Sequence, residues 1–263
     1  MAGIQRRSAL PQDSNTSLPP GYREIAGWGA DQPGPRTSPN FGPRRDGAKP
    51  DMVVIHYTAM GSASAACDVL CDPKTEVSAH YLIDASGHVV SLVPEVMRAW
   101  HAGAGAWGNV TDVNSRSIGI ELANTGFTPF AAAQMDALTD VLHGIKARWA
   151  VRPERVIGHS DMAPGRKIDP GPRFDWRRLA LEGLSVWPLT GASTPTSLGV
   201  DKARFAAAMA AFGYTATDDV ALLLNSFRLR FRPAAKGPLE QTDLAMITDL
   251  VRRFPVDVNA AWA

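Results

Sequence analysis

The sequence contains no long hydrophobic run. A membrane-spanning helix needs ~20 apolar residues, and no stretch of the 263 residues approaches this length. The N-terminal segment has two arginines but lacks the apolar stretch of ~7–15 residues that a secretory signal needs, and it has no cysteine for lipid attachment. We therefore expect no membrane span and a cytoplasmic protein. A periplasmic location would require that a leader has been trimmed from the sequence.

Cysteine is scarce, and neither sign of charge dominates. Cys67 and Cys71 are the only cysteines, and the Ala-rich sequence after Ser62 predicts a helix that separates them by one turn, where a disulfide is geometrically awkward. We interpret them as buried or partly buried thiols, since no second pair exists to complete a metal site. The 27 basic and 26 acidic residues give a net charge of +1, which offers no general attraction for nucleic acid. We expect a monomer.

Short β-branched runs alternate with helical patterns along most of the chain. This alternation predicts an α/β fold with a mixed central β-sheet flanked by helices. Strands are expected at 52–57, 79–84, 88–93, 117–123 and 155–158, with a hairpin turn at Ser86-Gly87. Helices are expected from residue 62, at 128–149 and at 174–184.

Composition divides the chain into four parts. Residues 1–37 are rich in Pro, Gly, Ser and Arg and predict an extended arm. A catalytic domain is expected at 38–187, and the small, polar segment at 188–200 is typical of a linker. Residues 201–263 predict a small all-α domain of three helices, which are expected at 201–212, 218–231 and 240–254.

The loop GHSDMAPGRKIDPG, residues 158–171, carries the most chemistry. It places His159, Lys167 and Asp169 in one Gly/Pro-rich segment, and His56 lies near the end of a predicted strand. Two histidines and one carboxylate form the ligand set of a hydrolytic zinc site with a fourth position for water. A lone histidine at a strand end is more often structural, but this loop has no obvious packing reason to exist. The sequence therefore predicts Zn²⁺ bound by His56, His159 and Asp169.

Six collinear segments carry a resemblance to a known family. They are SPNF (38–41), VVIHYTAM (53–60), VSAHYLIDASGHVVSLV (77–93), AWHAG (99–103), NSRSIGIELAN (114–124) and GHSDMAPGRKIDPGPRFDW (158–176). The chain resembles the zinc-dependent N-acetylmuramoyl-L-alanine amidases of the amidase-2 family, which share a fold with peptidoglycan recognition proteins and T7-type lysozyme. The resemblance implies cleavage of the amide between N-acetylmuramic acid, or its 1,6-anhydro form, and L-alanine of the stem peptide.

The resemblance implies the same three zinc ligands and adds two catalytic residues. Glu121 would act in acid/base catalysis and Lys167 would stabilise the transition state. Both roles make physical sense, because Glu121 is the one charged residue of an apolar strand and Lys167 supplies a cation for the oxyanion. The alternatives are a structural ion pair for Glu121 and a solvated surface position for Lys167. Ala79 precedes His80 where some relatives carry a catalytic tyrosine, which favours the AmpD/AmiD branch.

Several further residues are weaker candidates. His101 is either a substrate contact or a packing residue, and Asn114 and Asn124 are candidate substrate contacts. His80 is interpreted as structural or as a second-layer partner of the metal ligands. Two tryptophans could line a groove, although tryptophan is more often a core residue; they are Trp100 and Trp107.

The C-terminal part resembles three-helix peptidoglycan-binding domains through FGY (212–214), NSFRLRFRP (225–233) and the turn at 237–239. Its arginines at 228, 230 and 232 could contact an acidic glycan or peptide, or form a solvated helix face. We expect a muropeptide or peptidoglycan substrate and a role in cytosolic cell-wall recycling. The alternatives are a lytic amidase acting on intact peptidoglycan and a non-catalytic peptidoglycan-binding protein.

Overall fold

The computed structural model describes residues 37–189 and 200–257. Almost all of the predicted arm, most of the predicted linker and the last six residues lie outside this part of the chain. Within it, no helix is long and apolar enough to cross a membrane.

The centre of the protein is a five-stranded mixed sheet. Its strands are β2 (Met52–Tyr57), β3 (Tyr81–Ile83), β4 (Val89–Ser91), β6 (Ser117–Leu122) and β7 (Val156–Gly158), arranged in the order β4-β3-β6-β2-β7. β4 is antiparallel to β3, and the other neighbours are parallel. β1 (Phe41–Pro43) and β5 (Met97–Ala99) form a separate antiparallel pair. Parallel strands bring their carboxyl ends to one edge, where loops can build a site.

Eight α-helices accompany the strands in the described residues. They are α1 (Ala63–Cys71), α2 (Val113–Arg116), α3 (Ala132–Trp149), α4 (His159–Met162), α5 (Trp176–Leu181), α6 (Lys202–Phe212), α7 (Val220–Phe231) and α8 (Gln241–Arg253). Several begin at side chains that accept hydrogen bonds from the first turn, including Ser62, Asp201 and Asp219.

Alternation along the strands assigns each face of the sheet its own helical layer. Val53 and Ile55 of β2 pack with α3 and α5, whereas Met52 and Val54 share a core with apolar residues of α6, α7 and α8. His56 follows the same alternation and points to the face that the C-terminal helices cover. α1 packs on that side of β3 and β4, where Cys67 is buried and Cys71 half-buried. The Sγ atoms of the two thiols lie 4.0 Å apart.

The predicted mixed α/β fold is confirmed, and all three C-terminal helices occur within a few residues of their expected bounds. The helix expected at 128–149 begins only at Ala132, because the carbonyls of Thr128 and Pro129 accept hydrogen bonds from the Asn124 side chain. The division into a catalytic domain, a linker and a separate C-terminal domain stays a prediction. In the structure the C-terminal helices and the sheet share one apolar core.

Candidate metal centre

The sheet brings the three predicted metal ligands together at one edge. Ile55 of β2 pairs with Gly158 of β7. The next residue after each of them is a histidine, so His56 and His159 lie side by side at the carboxyl ends of adjacent parallel strands. The loop after α4 returns to this edge, where the Ser160 amide donates to the Asp169 carbonyl (2.9 Å). The sequence therefore supplies the residues, and the strand order places them side by side.

Three ligand atoms converge at the site. His56 Nδ1 lies 2.9 Å from His159 Nδ1 and 2.9 Å from Asp169 Oδ2, and His159 Nδ1 lies 3.0 Å from the same oxygen. All three residues are buried. Whether these contacts are hydrogen bonds depends on which ring nitrogens carry a proton, and the surroundings of the rings decide that.

The outer nitrogen of His159 must carry a proton. His159 Nε2 lies 2.8 Å from the Ala102 carbonyl, which can only accept a hydrogen bond, and 3.4 Å from Arg166 Nη2, which can only donate. The shorter contact assigns the proton to Nε2. His159 Nε2 is therefore the donor, and in the neutral ring Nδ1 is left with a lone pair.

A short hydrogen-bond relay fixes His56 in the same way. Ser117 Oγ donates to the Val113 carbonyl (2.6 Å), so it accepts from His101 Nε2 (3.2 Å). His101 Nδ1 then lacks a proton and accepts from His56 Nε2 (3.1 Å). His56 Nδ1 is consequently bare as well.

The charge of Asp169 and the tautomers of the two histidines together indicate a site for a cation. Desolvation, followed by the charge of His159, lowers the pKa of His56 to about 4, so its ring is neutral at pH 7. Desolvation raises the pKa of Asp169, but its contacts with His159 and His56 outweigh this and leave the pKa below the ordinary value. With their outer nitrogens assigned as donors, both rings offer the lone pair of Nδ1 towards the Asp169 carboxylate. This donor set of two imidazoles and one carboxylate fits zinc.

The segment that supports both histidines is itself fixed by Asn114. Asn114 Oδ1 accepts from the backbone amides of His101 (3.0 Å) and Ala102 (2.9 Å). The ring of His101 also packs on Gly119 of β6, where an added Cβ would lie 2.4 Å from His101 Cγ. The proposed substrate contacts at His101 and Asn114 stay predictions, but in the structure both side chains support the predicted metal ligands.

Glu121 lies beside the ligands with one carboxyl oxygen unpartnered. It is in register with His56 on the neighbouring strand, so both side chains project from the same face. Its Oε2 is buried and has no hydrogen-bond partner among the described residues. Desolvation, and then the charge of Asp169, raise the pKa of Glu121 to about 8. A carboxyl group with a pKa near neutrality can both take up and release protons.

Two cationic residues of the same loop have different positions. Lys167 is half-buried and forms no ion pair within the described residues, and its role in stabilising the transition state stays a prediction. Arg166 is exposed and donates to the Ala102 carbonyl (2.7 Å) and to the Ala104 carbonyl. The sequence singled out Lys167 but not Arg166, whose role depends on a segment distant along the chain.

Tyr57 is a further residue near the site that the sequence did not single out. It is half-buried directly after His56, and its ring lies against the loops at Gly126 and Gly171. Desolvation, and then the charge of Asp169, raise the pKa of its hydroxyl. Its position at the end of β2 was the available signal in the sequence.

Other candidates lie away from the ligands or in the core. Asn124 is predicted to contact substrate; its side chain bridges a turn by accepting from the Gly126 amide (2.7 Å). His80 is fully buried and accepts from the Gly119 amide, and its interpretation as structural or as a second-layer partner stays a prediction. Trp107 is also fully buried, as its core interpretation expects, whereas Trp100 is half-buried.

Both interpretations of the arginines at 228, 230 and 232, a contact with an acidic glycan or peptide and a solvated helix face, require exposure and are wrong for two of the three. Arg228 and Arg230 are buried. Arg228 pairs with Asp243 of α8 (2.6 Å), and Arg230 pairs with Asp161 of α4 (2.7 Å). Alternating arginines predict solvent exposure only where no buried carboxylate is available to pair with them. Here the fold supplies two buried carboxylates, those of Asp243 and Asp161.

Comparison with known proteins agrees with this geometry. A family profile described as N-acetylmuramoyl-L-alanine amidase matches residues 46–172. The N-acetylmuramoyl-L-alanine amidase AmiD of Escherichia coli is 36% identical over 236 residues, covering 78% of this chain and 84% of that protein. The 1,6-anhydro-N-acetylmuramyl-L-alanine amidase AmpD of Enterobacter cloacae is 36% identical over 159 residues, covering 54% and 85% respectively.

Solved structures extend the similarity to most of the chain. The E. coli AmiD complex with anhydro-N-acetylmuramic acid-L-Ala-D-γ-Glu-L-Lys has a TM-score of 0.73 at 33% identity, covering 84% of this chain and 94% of that one. AmpDh3 of Pseudomonas aeruginosa, in complex with an anhydromuramic pentapeptide, has a TM-score of 0.69 at 31% identity, covering 84% and 96%. The chain therefore belongs to the N-acetylmuramoyl-L-alanine amidase family.

Proposed function

We propose that the protein is a zinc-dependent amidase that cleaves the bond between N-acetylmuramic acid, in its anhydro or ordinary form, and L-alanine of the stem peptide. One observation carries the metal: the Nδ1 atoms of two buried imidazoles and a carboxylate oxygen of Asp169 lie within 3.0 Å of one another. The substrate class is supported by the names and bound ligands of the relatives.

His56, His159 and Asp169 would hold the ion. A bound zinc ion supplies a Lewis acid and lowers the pKa of a coordinated water. Glu121 takes a proton from the attacking water and returns it to the leaving amine of L-alanine. A cation bound at His56, His159 and Asp169 would lower the raised pKa of Glu121 towards neutrality, where one carboxyl group can perform both proton transfers. Lys167 is proposed to stabilise the negative charge that develops on the amide oxygen.

The test separates metal binding from proton transfer. We expect Glu121→Gln to bind zinc as the unaltered protein does and to lose about 10²- to 10⁴-fold in turnover, because the amide cannot exchange the proton. His159→Ala should lose both zinc and turnover. Zinc content is measured by metal analysis, and products by mass spectrometry of purified anhydromuropeptides.

Two results would contradict the proposal. Normal zinc content in His159→Ala would exclude that residue as a ligand, and full turnover in Glu121→Gln would exclude it as the acid/base. Intact sacculi assayed in parallel distinguish recycling of fragments from lytic activity. The predicted cytosolic location belongs to this proposal and is checked by fractionation of cells that express the native gene.

A further inference from the structure

Asp161 is a buried carboxylate two residues after His159, and two C-terminal residues contact it. Arg230 Nη1 of α7 lies 2.7 Å from its Oδ2, and the side chains of this ion pair are each 1% exposed. The hydroxyl of Tyr214, which follows α6, donates to Oδ1 (2.5 Å). The Gly158 amide donates to Oδ2 (2.8 Å). Arg230 supplies the only opposite charge that pairs with Asp161 within the described residues.

α7 also contacts the backbone that leads into and out of α4. Ser226 Oγ donates to the Ser160 carbonyl (2.8 Å). Arg230 Nη2 donates to the Val156 carbonyl of β7 (3.1 Å) and to Ser185 Oγ (3.0 Å). One helix of the C-terminal part therefore binds the residues on both sides of His159.

A second contact holds Tyr214 in place. The loop after α6 packs on Trp107, whose ring centroid lies 4.9 Å from that of Tyr214. The Gly108 amide donates to the Gly213 carbonyl (2.8 Å), and Thr215 Oγ1 donates to the Gly108 carbonyl (2.7 Å). Gly213 has a φ of 132°, and a Cβ there would lie 2.6 Å from the indole of Trp107. Glycine at position 213 therefore allows the FGY segment to pack closely on Trp107.

We propose that the C-terminal helices form a positioning part of the metal centre. Arg230 and Tyr214 fix Asp161, Asp161 fixes the first turn of α4, and that turn orients His159. This inference rests on the proposed metal at His56, His159 and Asp169. Without Arg230, Asp161 would be an uncompensated buried charge, and the cost of keeping it buried would draw α4 towards water. Arg230 and Tyr214 are positioning residues and do not contact substrate.

Arg228 provides a matched control on the same helix. It is also buried and pairs with a buried aspartate, Asp243, and it donates to the carbonyls of Gly237 and Pro238. All these partners lie within the C-terminal helices and their loops. Arg228→Met and Arg230→Met therefore remove the same kind of ion pair, but only the second one joins α7 to α4.

The experiment compares both variants in the full-length protein. Hydrogen exchange of metal-free protein, followed by mass spectrometry, should show residues 158–163 exchanging at least about tenfold faster in Arg230→Met and within about twofold of the unaltered rate in Arg228→Met. Zinc affinity, measured by chelator competition, should fall by about tenfold in Arg230→Met, the lower end for loss of a partner that supports a metal ligand. The visible spectrum of bound Co²⁺ should change in the same variant only.

A double variant tests the path through Asp161. Arg230→Met combined with Asp161→Asn removes the orphaned charge and keeps an acceptor oxygen for the Gly158 amide, while the Tyr214 hydroxyl can accept from the new side-chain amide, so zinc affinity should recover. If Arg230→Met does not fold, Tyr214→Phe removes one hydrogen bond and should produce a smaller change in the same direction.

Equal exchange rates and equal zinc affinities in the two arginine variants would overturn the inference. Failure of the unaltered protein to bind zinc would instead overturn the proposed function. The exchange comparison uses metal-free protein, so it decides the positioning role in either case.

Discussion

His56 and His159 each direct one ring nitrogen towards Asp169 and contact a further group of the protein through the other nitrogen. The outer partners are His101 for His56 and the Ala102 carbonyl for His159. These consecutive residues impose the tautomers that leave both Nδ1 atoms available. At the scale of single residues, the proposed metal site therefore depends on partners that are not ligands.

Replacing His101 should weaken metal binding without removing a ligand. In His101→Phe, His56 Nε2 loses its acceptor and the tautomer is no longer fixed, so we expect zinc affinity to fall about 10- to 100-fold. Chelator competition measures the change. His143, which is exposed on α3, supplies the control: His143→Phe should bind zinc as the unaltered protein does. Unchanged affinity in His101→Phe would refute the relay.

Asn114 distinguishes a supporting role from a substrate contact. Asn114→Ala leaves the amides of His101 and Ala102 without their acceptor, and each buried unsatisfied amide costs about 1–3 kcal/mol. We expect the free energy of unfolding in urea to fall by about 2–6 kcal/mol. Asn114→Asp keeps the acceptor oxygen and should retain more of this stability. A raised KM with unchanged stability in Asn114→Ala would favour the substrate contact instead.

Residue types in the sequence were sufficient to predict the ligand set but not its support. Two histidines and an aspartate in strand-end and Gly/Pro-rich contexts indicate a metal site. The contributions of Ser117 and the Ala102 carbonyl have no counterpart in local sequence, because backbone carbonyls are common to all residues and only folding places them against a particular ring.

Among the secondary-structure elements, the end of α3 is tied to the loop before β5 through Glu95. Its carboxylate accepts hydrogen bonds from Tyr81 of β3 (2.7 Å) and from Arg148 (2.8 Å) and Trp149 (2.6 Å) of α3. Burial raises the pKa of Glu95, but the hydrogen bonds from Arg148, Tyr81 and Trp149 outweigh it, so the pKa lies below its ordinary value of 4.5. The ionised form is thus the one that stabilises the fold.

The pKa shift of Glu95 predicts the pH at which this stability is lost. Because the pKa is lower in the folded than in the unfolded state, the contribution is complete above about pH 5 and declines as pH falls below about 4.5, through the folded-state pKa. Glu95→Gln should reduce the free energy of unfolding by about 1–3 kcal/mol at pH 7. The difference should shrink in urea titrations at lower pH.

Glu76 supplies the control for this titration, since it is exposed. Glu76→Gln should unfold at the same urea concentration as the unaltered protein at each pH. A Glu95→Gln difference that stays constant down to pH 3 would contradict the assignment.

For the elements, hydrophobic periodicity predicted existence and type better than bounds. β3 and β4 are shorter than expected. The end of a strand is set by its hydrogen bonds to neighbouring strands, some of them distant along the chain, whereas the hydrophobic periodicity continues past the last paired residue. The buried arginines of α7 were misjudged for a related reason. Their neighbours on other elements, and not their spacing, determine whether they face water.

At the scale of the whole molecule, the sheet and the C-terminal helices bury their apolar surfaces against each other. Met52, Val54 and Ile157 of the sheet belong to the same cluster as Phe205 and Phe227. Separating the two parts would expose this cluster and the Arg230–Asp161 pair together. Such coupling favours cooperative unfolding.

We therefore expect one calorimetric transition for the protein, with equal calorimetric and van't Hoff enthalpies. Tryptophan fluorescence and far-ultraviolet circular dichroism should report the same midpoint, because Trp107 lies at the junction of the two parts. Two resolved transitions would show that the C-terminal helices fold independently, as the sequence-based domain division expects.

The sequence by itself determined the α/β class, the order of the elements, the candidate metal-ligand residues and the family resemblance, because these depend on residue type and local periodicity. Only the tertiary structure decided which nitrogen each histidine offers and which face Glu121 shares. It also decided that Arg230 is buried against the helix that bears His159. These properties depend on contacts between residues distant along the chain, and free energies of burial and pairing arise only when the fold brings such residues together.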